Sequence, residues 1–397
     1  MSECYLDTKN KSSCCGCKVC AAVCPKDAIT FSDDEEGFWY PEINQEKCIN
    51  CNKCRTVCPI NEIPLLTIED ENQTYAAFSK NDEILKQSAS GGLFTCLSDV
   101  ILQEGGSVFG HIYNEKCIAV CSEAKNIDER NKMRGSKYVQ SNMGDIYKNI
   151  KKAIQTEKPV LFTGTPCQVE AVKKYFGNNP PDNLYSVGLI CHGVPSPKIF
   201  SEYVALEEKK SKKKIKDVVF RDKGNGWEKP LIRHIYTDGS DAARLLNADA
   251  FNNLFLGTDC ILRPSCFECR YAGKQRIEDI SIADFWGIQN KHSDMFNDDK
   301  GVSVVLVNTE KGKELFSKAM PTLVYKQVLL TDAQERNTPL NHPSVPFKLR
   351  TRVFAEYKKH GAGYILKKYM FRRKVLATLP VRALRKILRI VKGAVKK

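Results

Sequence analysis

The 397-residue chain has no run of the roughly 18 apolar residues that a helix needs to cross a bilayer, which excludes a helical membrane span. It has no basic start followed by an apolar stretch, as a secretory leader would; Met1-Ser2-Glu3 leads straight into cysteine-rich sequence. Residues 1–350 have no excess of either charge. The whole net charge of +14 falls in residues 351–397, where fifteen Lys and Arg face a single acid, Glu356. A balanced body carries no footprint for nucleic acid, and none is expected as a partner. Hydrophobic residues make up 42%, which excludes a disordered chain.

Cysteine is abundant, with 18 residues. Two runs contain eight of them: Cys14-x2-Cys17-x2-Cys20-x3-Cys24-Pro25 and Cys48-x2-Cys51-x2-Cys54-x3-Cys58-Pro59. This is the spacing of a two-cluster bacterial ferredoxin. Three cysteines at two-residue gaps wrap three corners of a 4Fe–4S cube, and the fourth starts the next helix and reaches the other cube. Cys14, Cys17, Cys20 and Cys58 are therefore expected to hold one cluster, and Cys48, Cys51, Cys54 and Cys24 the second. Zinc knuckles would need four ligands, not eight in interleaved runs. Pro25 and Pro59 turn the chain away after the fourth ligand. Cys15 falls outside the pattern and reads as a spare thiol. Thiolate ligands require a reducing compartment, so a cytoplasmic protein is expected.

Three units follow from the chain order: residues 1–62 as the ferredoxin domain, 74–345 as a core, and 350–397 as a basic tail. In the first, residues 28–31 and 39–43 read as short strands around an acidic turn. From residue 75 strands alternate with helices, with strands at 75–78, 107–110, 160–162 and 184–190. Helices are expected at 92–103, 143–155, 167–176 and 197–207. This alternation predicts a mixed, largely parallel α/β core behind an α+β ferredoxin module. Two strands flank a turn-like insertion at 222–227, and the apolar run 302–307 reads as a buried central strand. In the tail, Leu384, Ile387, Leu388, Val391 and Val395 share a helical face and basic residues occupy the others. Such a helix suits an anionic membrane surface or a groove on a partner protein.

A third set of cysteines stands apart from the runs. Cys167 follows a strand, with Thr165 as N-cap and Pro166 as first helical residue, where the helix dipole should lower its thiol pKa. Cys191 follows another strand, and Cys266 and Cys269 form a CxxC pair. At the carboxyl edge of a parallel sheet these four could complete one site, with Cys260 in reserve. Zinc and a further 4Fe–4S cluster both remain open, and the neighbouring ferredoxin favours the cluster. Cys4, Cys96, Cys117 and Cys121 read as ordinary thiols. Among phosphate-binding candidates, Gly91-Gly92 and Gly164-Thr165 open helices, and Arg134 and Lys137 lie in a glycine-containing loop.

The segments Ser88-Ala89-Ser90-Gly91-Gly92, Arg134-Gly135-Ser136-Lys137-Tyr138, Gly164-Thr165-Pro166-Cys167-Gln168, Phe220-Arg221-Asp222-Lys223 and Ala283-Asp284-Phe285-Trp286-Gly287 occur in that order. With the cysteines, this order resembles the coenzyme F-420 hydrogenase/dehydrogenase beta-subunit family, in its branch with an N-terminal ferredoxin, over residues 10–345. The resemblance implies an iron–sulfur flavoprotein oxidoreductase that binds FAD. Electrons would pass between a ferredoxin-type partner, 4Fe–4S clusters, FAD and a small organic substrate. It also implies Ser90, Ser136 and Tyr138 as flavin contacts beside the glycines and cations above. Asp284-Phe285-Trp286 would line the pocket or pack in the core, and His192 would donate a proton, bond a cluster sulfur or face solvent. Ser90 stands where deazaflavin-using members are expected to carry an acid. The alternative is a non-catalytic electron-transfer subunit that docks a partner enzyme or the membrane.

Overall fold

The computed structural model describes residues 4–61, 66–67, 73–177 and 179–378. In the N-terminal module Ile29–Asp33 (β1) and Trp39–Ile43 (β2) pair antiparallel, joined through the acidic turn. Leu66–Thr67 (β3) precedes Thr74–Ser79 (β4), Ser107–Tyr113 (β5), Ala119–Ala124 (β6), Val160–Gly164 (β7) and Leu184–Leu189 (β8). Ile215–Asp222 (β9), Leu231–Tyr236 (β10) and Asp241–Leu245 (β11) form a separate antiparallel sheet in the order β11-β10-β9. Gln275–Arg276 (β12), which pairs with β3, leads to Ile280–Asp284 (β13), Ser303–Val307 (β14) and Leu323–Gln327 (β15).

The main sheet has eight strands in the order β15-β4-β14-β13-β8-β7-β5-β6. Parallel pairing joins β13, β8, β7 and β5 in the centre. Both flanks are antiparallel, with β6 on one side and β14, β4 and β15 on the other. The reason lies in the connections: a helix carries the chain back between parallel strands, whereas β5 returns to β6 through a tight turn. Strand β14 is buried at all five residues, as an interior strand must be.

Alternate residues feed opposite faces, the period-2 rule of a strand. Val108 and Leu161 pack with Leu93, Leu97 and Ile101 of helix Leu93–Gln103 on one face. Phe109, Val160 and Phe162 pack on the other with Tyr147 and Ile150 of helix Ile146–Ile154 and Val169 and Val172 of helix Pro166–Tyr175. Helices therefore cover both faces of the sheet.

The ferredoxin module shares this core. Cys17 and Val19 lie in the same apolar cluster as Phe109 and Val169. Tyr147 donates its hydroxyl to Cys17 O at 2.7 Å, and Tyr271 to Pro59 O at 3.1 Å. Helices Arg350–His360 and Ala362–Thr378 are also anchored, since Val353, Phe354, Ala362 and Ile365 pack with Phe200 and Phe220. The amphipathic face expected at 384–395 lies outside the described residues. No described helix is long and apolar enough to cross a membrane.

Helix Pro166–Tyr175 buries a carboxyl. Glu170 Oε2 is buried without a hydrogen-bond partner, and burial raises the group from 4.5 to about 7 against the fields of Lys174, Lys173 and Arg270. A carboxyl whose folded pKa is raised binds more protons in the folded state between pH 4.5 and 7, so stability falls as pH rises through that window. Glu170→Gln should accordingly stabilise the protein by about 1–3 kcal/mol more at pH 8 than at pH 5, an order-of-magnitude figure from the linkage relation. Chemical denaturation at the two pH values measures this, and a pH-independent gain would contradict it.

Candidate functional site

The ferredoxin loops are built twice on one plan. The second residue after the first cysteine is left-handed in both (Gly16, φ 70°; Asn50, φ 55°), and so is the residue after the second (Lys18, φ 67°; Asn52, φ 58°). These turns bring amides onto sulfur: Gly16 N lies 3.4 Å from Cys14 Sγ and Asn50 N 3.4 Å from Cys48 Sγ. Glycine is required at 16 because a Cβ there would lie 2.2 Å from Gln140 Nε2, a contact with the core domain. Cys24, Cys48, Cys51 and Cys54 line one small cavity, three from the second run and one from the first. In the other set Cys20 faces Cys14, and Cys17 faces Cys20 and Cys58. Both groupings follow the interleaving that the spacing implies. Cys51 is exposed, so the set containing it lies at the surface, while Cys17 is buried against the core.

Cys167, Cys191, Cys266 and Cys269 converge at the carboxyl edge of the parallel strands. Cys191 feels Cys266, Cys167 and Cys269, and Cys266 in turn feels Cys269 and Cys167. Gln168 holds the start of the Cys167 helix by accepting from Thr165 N at 3.0 Å, and Val194 N lies 3.4 Å from Cys266 Sγ. Cys260 is buried in a different apolar cluster and leaves the set at four. Two expectations are corrected here. Cys15 is not a spare surface thiol: it is hydrogen-bonded to both Cys17 and Cys167, between the first ferredoxin set and this one. The Cys167 thiol is not lowered by its helix either; the Cys15 thiol and burial push it up. Buried thiols of this kind become thiolates when metal takes the proton's place. Among the described residues no three His, Cys, Asp or Glu side chains are placed for a single metal ion, and this is equally true of the eight ferredoxin cysteines. One zinc would draw its sulfurs to about 3.8 Å of each other, from 2.3 Å tetrahedral bonds.

Beside Cys191 opens a cavity of about 440 Å³. Ser90, Gly92, Arg134, Ser136, Lys137, Tyr138, Gly164 and Thr165 all line it, although they come from separate stretches of chain. Gly91 does not. A Cβ there would lie 2.5 Å from Ala77 O and 2.9 Å from Ser303 N, so this glycine lets the loop press on β4 and β14. Arg134 donates to Thr95 Oγ1 at 3.2 Å and to Gln87. Lys137 donates to Arg134 O at 2.7 Å, and its burial lowers it to about 8. His192 lines the cavity with Nε2 2.6 Å from Asp259 Oδ1, while Phe285 is fully buried and its neighbours Asp284 and Trp286 reach the wall.

The family model for the C terminus of the coenzyme F420 hydrogenase/dehydrogenase beta subunit matches residues 157–330, and a 4Fe-4S dicluster domain matches residues 13–61. This chain belongs to the coenzyme F420 hydrogenase/dehydrogenase beta-subunit family. The family match spans Cys167, Cys191, Cys266 and Cys269, and the dicluster match spans all eight ferredoxin cysteines. A chain of the F420-reducing [NiFe] hydrogenase complex from Methanosarcina barkeri is 21% identical, with a TM-score of 0.45 over 77% of this chain and 94% of that one. No curated protein matches the sequence.

Two features of the cavity in this beta-subunit family member escape a reading of motifs. His111, near the end of β5, has Nδ1 2.7 Å from Ser141 Oγ and a buried Nε2 without a partner. Burial, with the nearby Lys137, lowers it to about 4 and keeps the ring neutral. The second is a stacked wall. Trp227 and Trp286 lie parallel at 4.9 Å, and the Arg221 guanidinium sits 4.6 Å from the Trp286 ring. Asp284 Oδ1 ties the stack together, accepting from Trp227 Nε1 at 2.5 Å and from Arg221 at 3.1 Å. The Gly226-Trp227 motif pointed toward this wall; for His111 the sequence carries no local signal.

Proposed function

We propose that this chain is an iron–sulfur flavoprotein oxidoreductase that passes electrons between a ferredoxin-type partner and a small organic substrate. One observation supports it above the others: a single cavity of about 440 Å³ is lined by Cys191 of the third cysteine set and by the glycine and cation loops suited to a flavin dinucleotide. That volume lies in the range of cofactor pockets, about 300–1,000 Å³.

The residues fit the groups implied. Cys14, Cys17, Cys20 and Cys58 would hold one 4Fe–4S cluster, Cys24, Cys48, Cys51 and Cys54 the second, and Cys167, Cys191, Cys266 and Cys269 a third. The lack of single-ion spacing in the third set favours a cube over zinc. Gly92 and Gly164-Thr165 present main-chain amides at helix starts for a pyrophosphate. Arg134, Lys137, Arg221 and Arg336 line the same cavity against one acid, Asp284, which is already bonded to Arg221 and Trp227. FAD, when bound, exchanges single electrons with iron–sulfur centres and electron pairs with organic molecules. The protein's part is to hold the centres in order from the exposed Cys51 inward, and to keep water from the cavity. Thiolate ligands suit a reducing compartment, which favours the cytoplasm for this work.

Iron, sulfide and flavin per chain on anaerobically purified protein test the proposal. About twelve irons and one FAD are expected for three 4Fe–4S centres. About eight irons without flavin would replace it with the electron-transfer subunit that lacks a substrate of its own.

A further inference from the structure

Arg263 holds the first ferredoxin loop with its side chain and the third cysteine set with its main chain. Its guanidinium is fully buried. It donates to Cys14 O at 2.6 Å, Gln140 Oε1 at 3.0 Å and Trp39 O at 3.0 Å, all neutral acceptors. It forms no ion pair with a carboxylate among the described residues. Arg130, equally buried, has Asp99 at 2.8 Å. The flat faces of Arg263 lie against Tyr40 at 4.3 Å and Phe38 at 5.4 Å, which leaves no room for water to screen it. Its amide donates to Val194 O at 3.0 Å, and its carbonyl accepts from Cys266 N at 3.0 Å. Gly16 fits because a Cβ there would lie 3.0 Å from the guanidinium.

A buried cation without a counter-ion is strongly unfavourable, so a negative charge is expected beside it. The groups that face it are chiefly sulfurs. Burial works against its charge, while Cys14, Tyr40, Cys15 and Cys266 favour it. Cys14 belongs to the first ferredoxin set and Cys266 to the third, and Cys15 hydrogen-bonds to both Cys17 and Cys167 between them.

We infer that Arg263 supplies the countercharge to the cysteine-bound clusters on either side of it and sets their reduction potentials. The inference rests on the cluster assignment proposed above. Reduction by a ferredoxin-type donor adds one electron, and so one negative charge, to a cluster, with no bond made or broken. A fixed cation nearby stabilises the reduced form more than the oxidised one and raises the potential. Arg263 is thus a positioning and tuning residue, not a catalytic one.

The test is a redox titration followed by electron paramagnetic resonance on the anaerobically purified full chain, with iron counted for each variant. Arg263→Gln should shift at least one cluster signal to lower potential, and Arg263→Lys, which keeps the charge, should stay near wild type. Gln140→Glu covers the case in which Arg263→Gln does not fold. It leaves Arg263 in place, adds the missing carboxylate, and should also lower the potential. Potentials equal to wild type in Arg263→Gln and Gln140→Glu at full iron content would overturn the inference. A wild-type chain without iron would instead overturn the cluster assignment on which it rests.

Discussion

Cys191→Ser should cut the iron of the anaerobically purified chain by about four atoms, from about twelve to about eight, and should abolish reduction of the bound flavin by a ferredoxin-type donor. Cys191 ends the run after β8, where parallel strands deliver their following residues to one edge of the sheet. There it meets Cys167 from the end of β7 and the Cys266–Cys269 pair. It is also the member of that set that lines the cavity, so its loss breaks the path at the step nearest the flavin. Serine is close to cysteine in size and the site is already polar, so the fold and both ferredoxin sets should survive. Iron and sulfide analysis reads the first effect, and anaerobic absorbance of the flavin after addition of the donor reads the second. Iron unchanged at about twelve would remove Cys191 from the ligands.

Trp227→Ala should cost about 3–5 kcal/mol of stability, the range for deleting a buried tryptophan. Trp227 is wholly buried in the cluster with Phe285 and Val304 of the main sheet's flank. The substitution removes one layer of the Trp227–Trp286 stack and takes the indole N–H from Asp284. Asp284 then keeps Arg221, but Trp286 loses the ring that fixes its plane against the cavity. Flavin occupancy should therefore fall with stability. Trp227→Phe separates the two effects: it keeps an aromatic layer and loses the hydrogen bond, at about 1–3 kcal/mol for the carboxylate left short of a donor. Denaturation curves and flavin-to-protein ratios measure both variants. A cost below about 1 kcal/mol for Trp227→Ala would show that the stack does not support the wall.

The elements were legible wherever the code is local. Helix Leu93–Gln103 shows in its apolar face, helix Pro166–Tyr175 in Thr165 and Pro166, and β14 in its unbroken apolar run. Strand β6 was not, because Ala119–Ala124 is a weakly apolar edge strand whose pairing partner supplies its order. The antiparallel flanks were hidden for a similar reason. Alternation of strands and helices predicts parallel neighbours, but strand order depends on which long-range contacts bury the most surface.

The ferredoxin cysteines were readable because three sulfurs within seven residues are placed by the turns between them, and a repeated run supplies the fourth. The third set was readable in part, since a residue just after a strand of a parallel sheet must lie at its carboxyl edge. What Cys15, Arg263, His111 and Arg221 do was not readable at all. Arg263 meets Cys14 across 249 residues, and Arg221 meets Asp284 across 63. Sequence alone determined the kinds of centre this protein is built to hold, because ligand spacing is short-range chemistry. The tertiary structure decided their order in space, their shared buried charge and the wall beside them, because burial and electrostatics depend on which distant segments close over the same site.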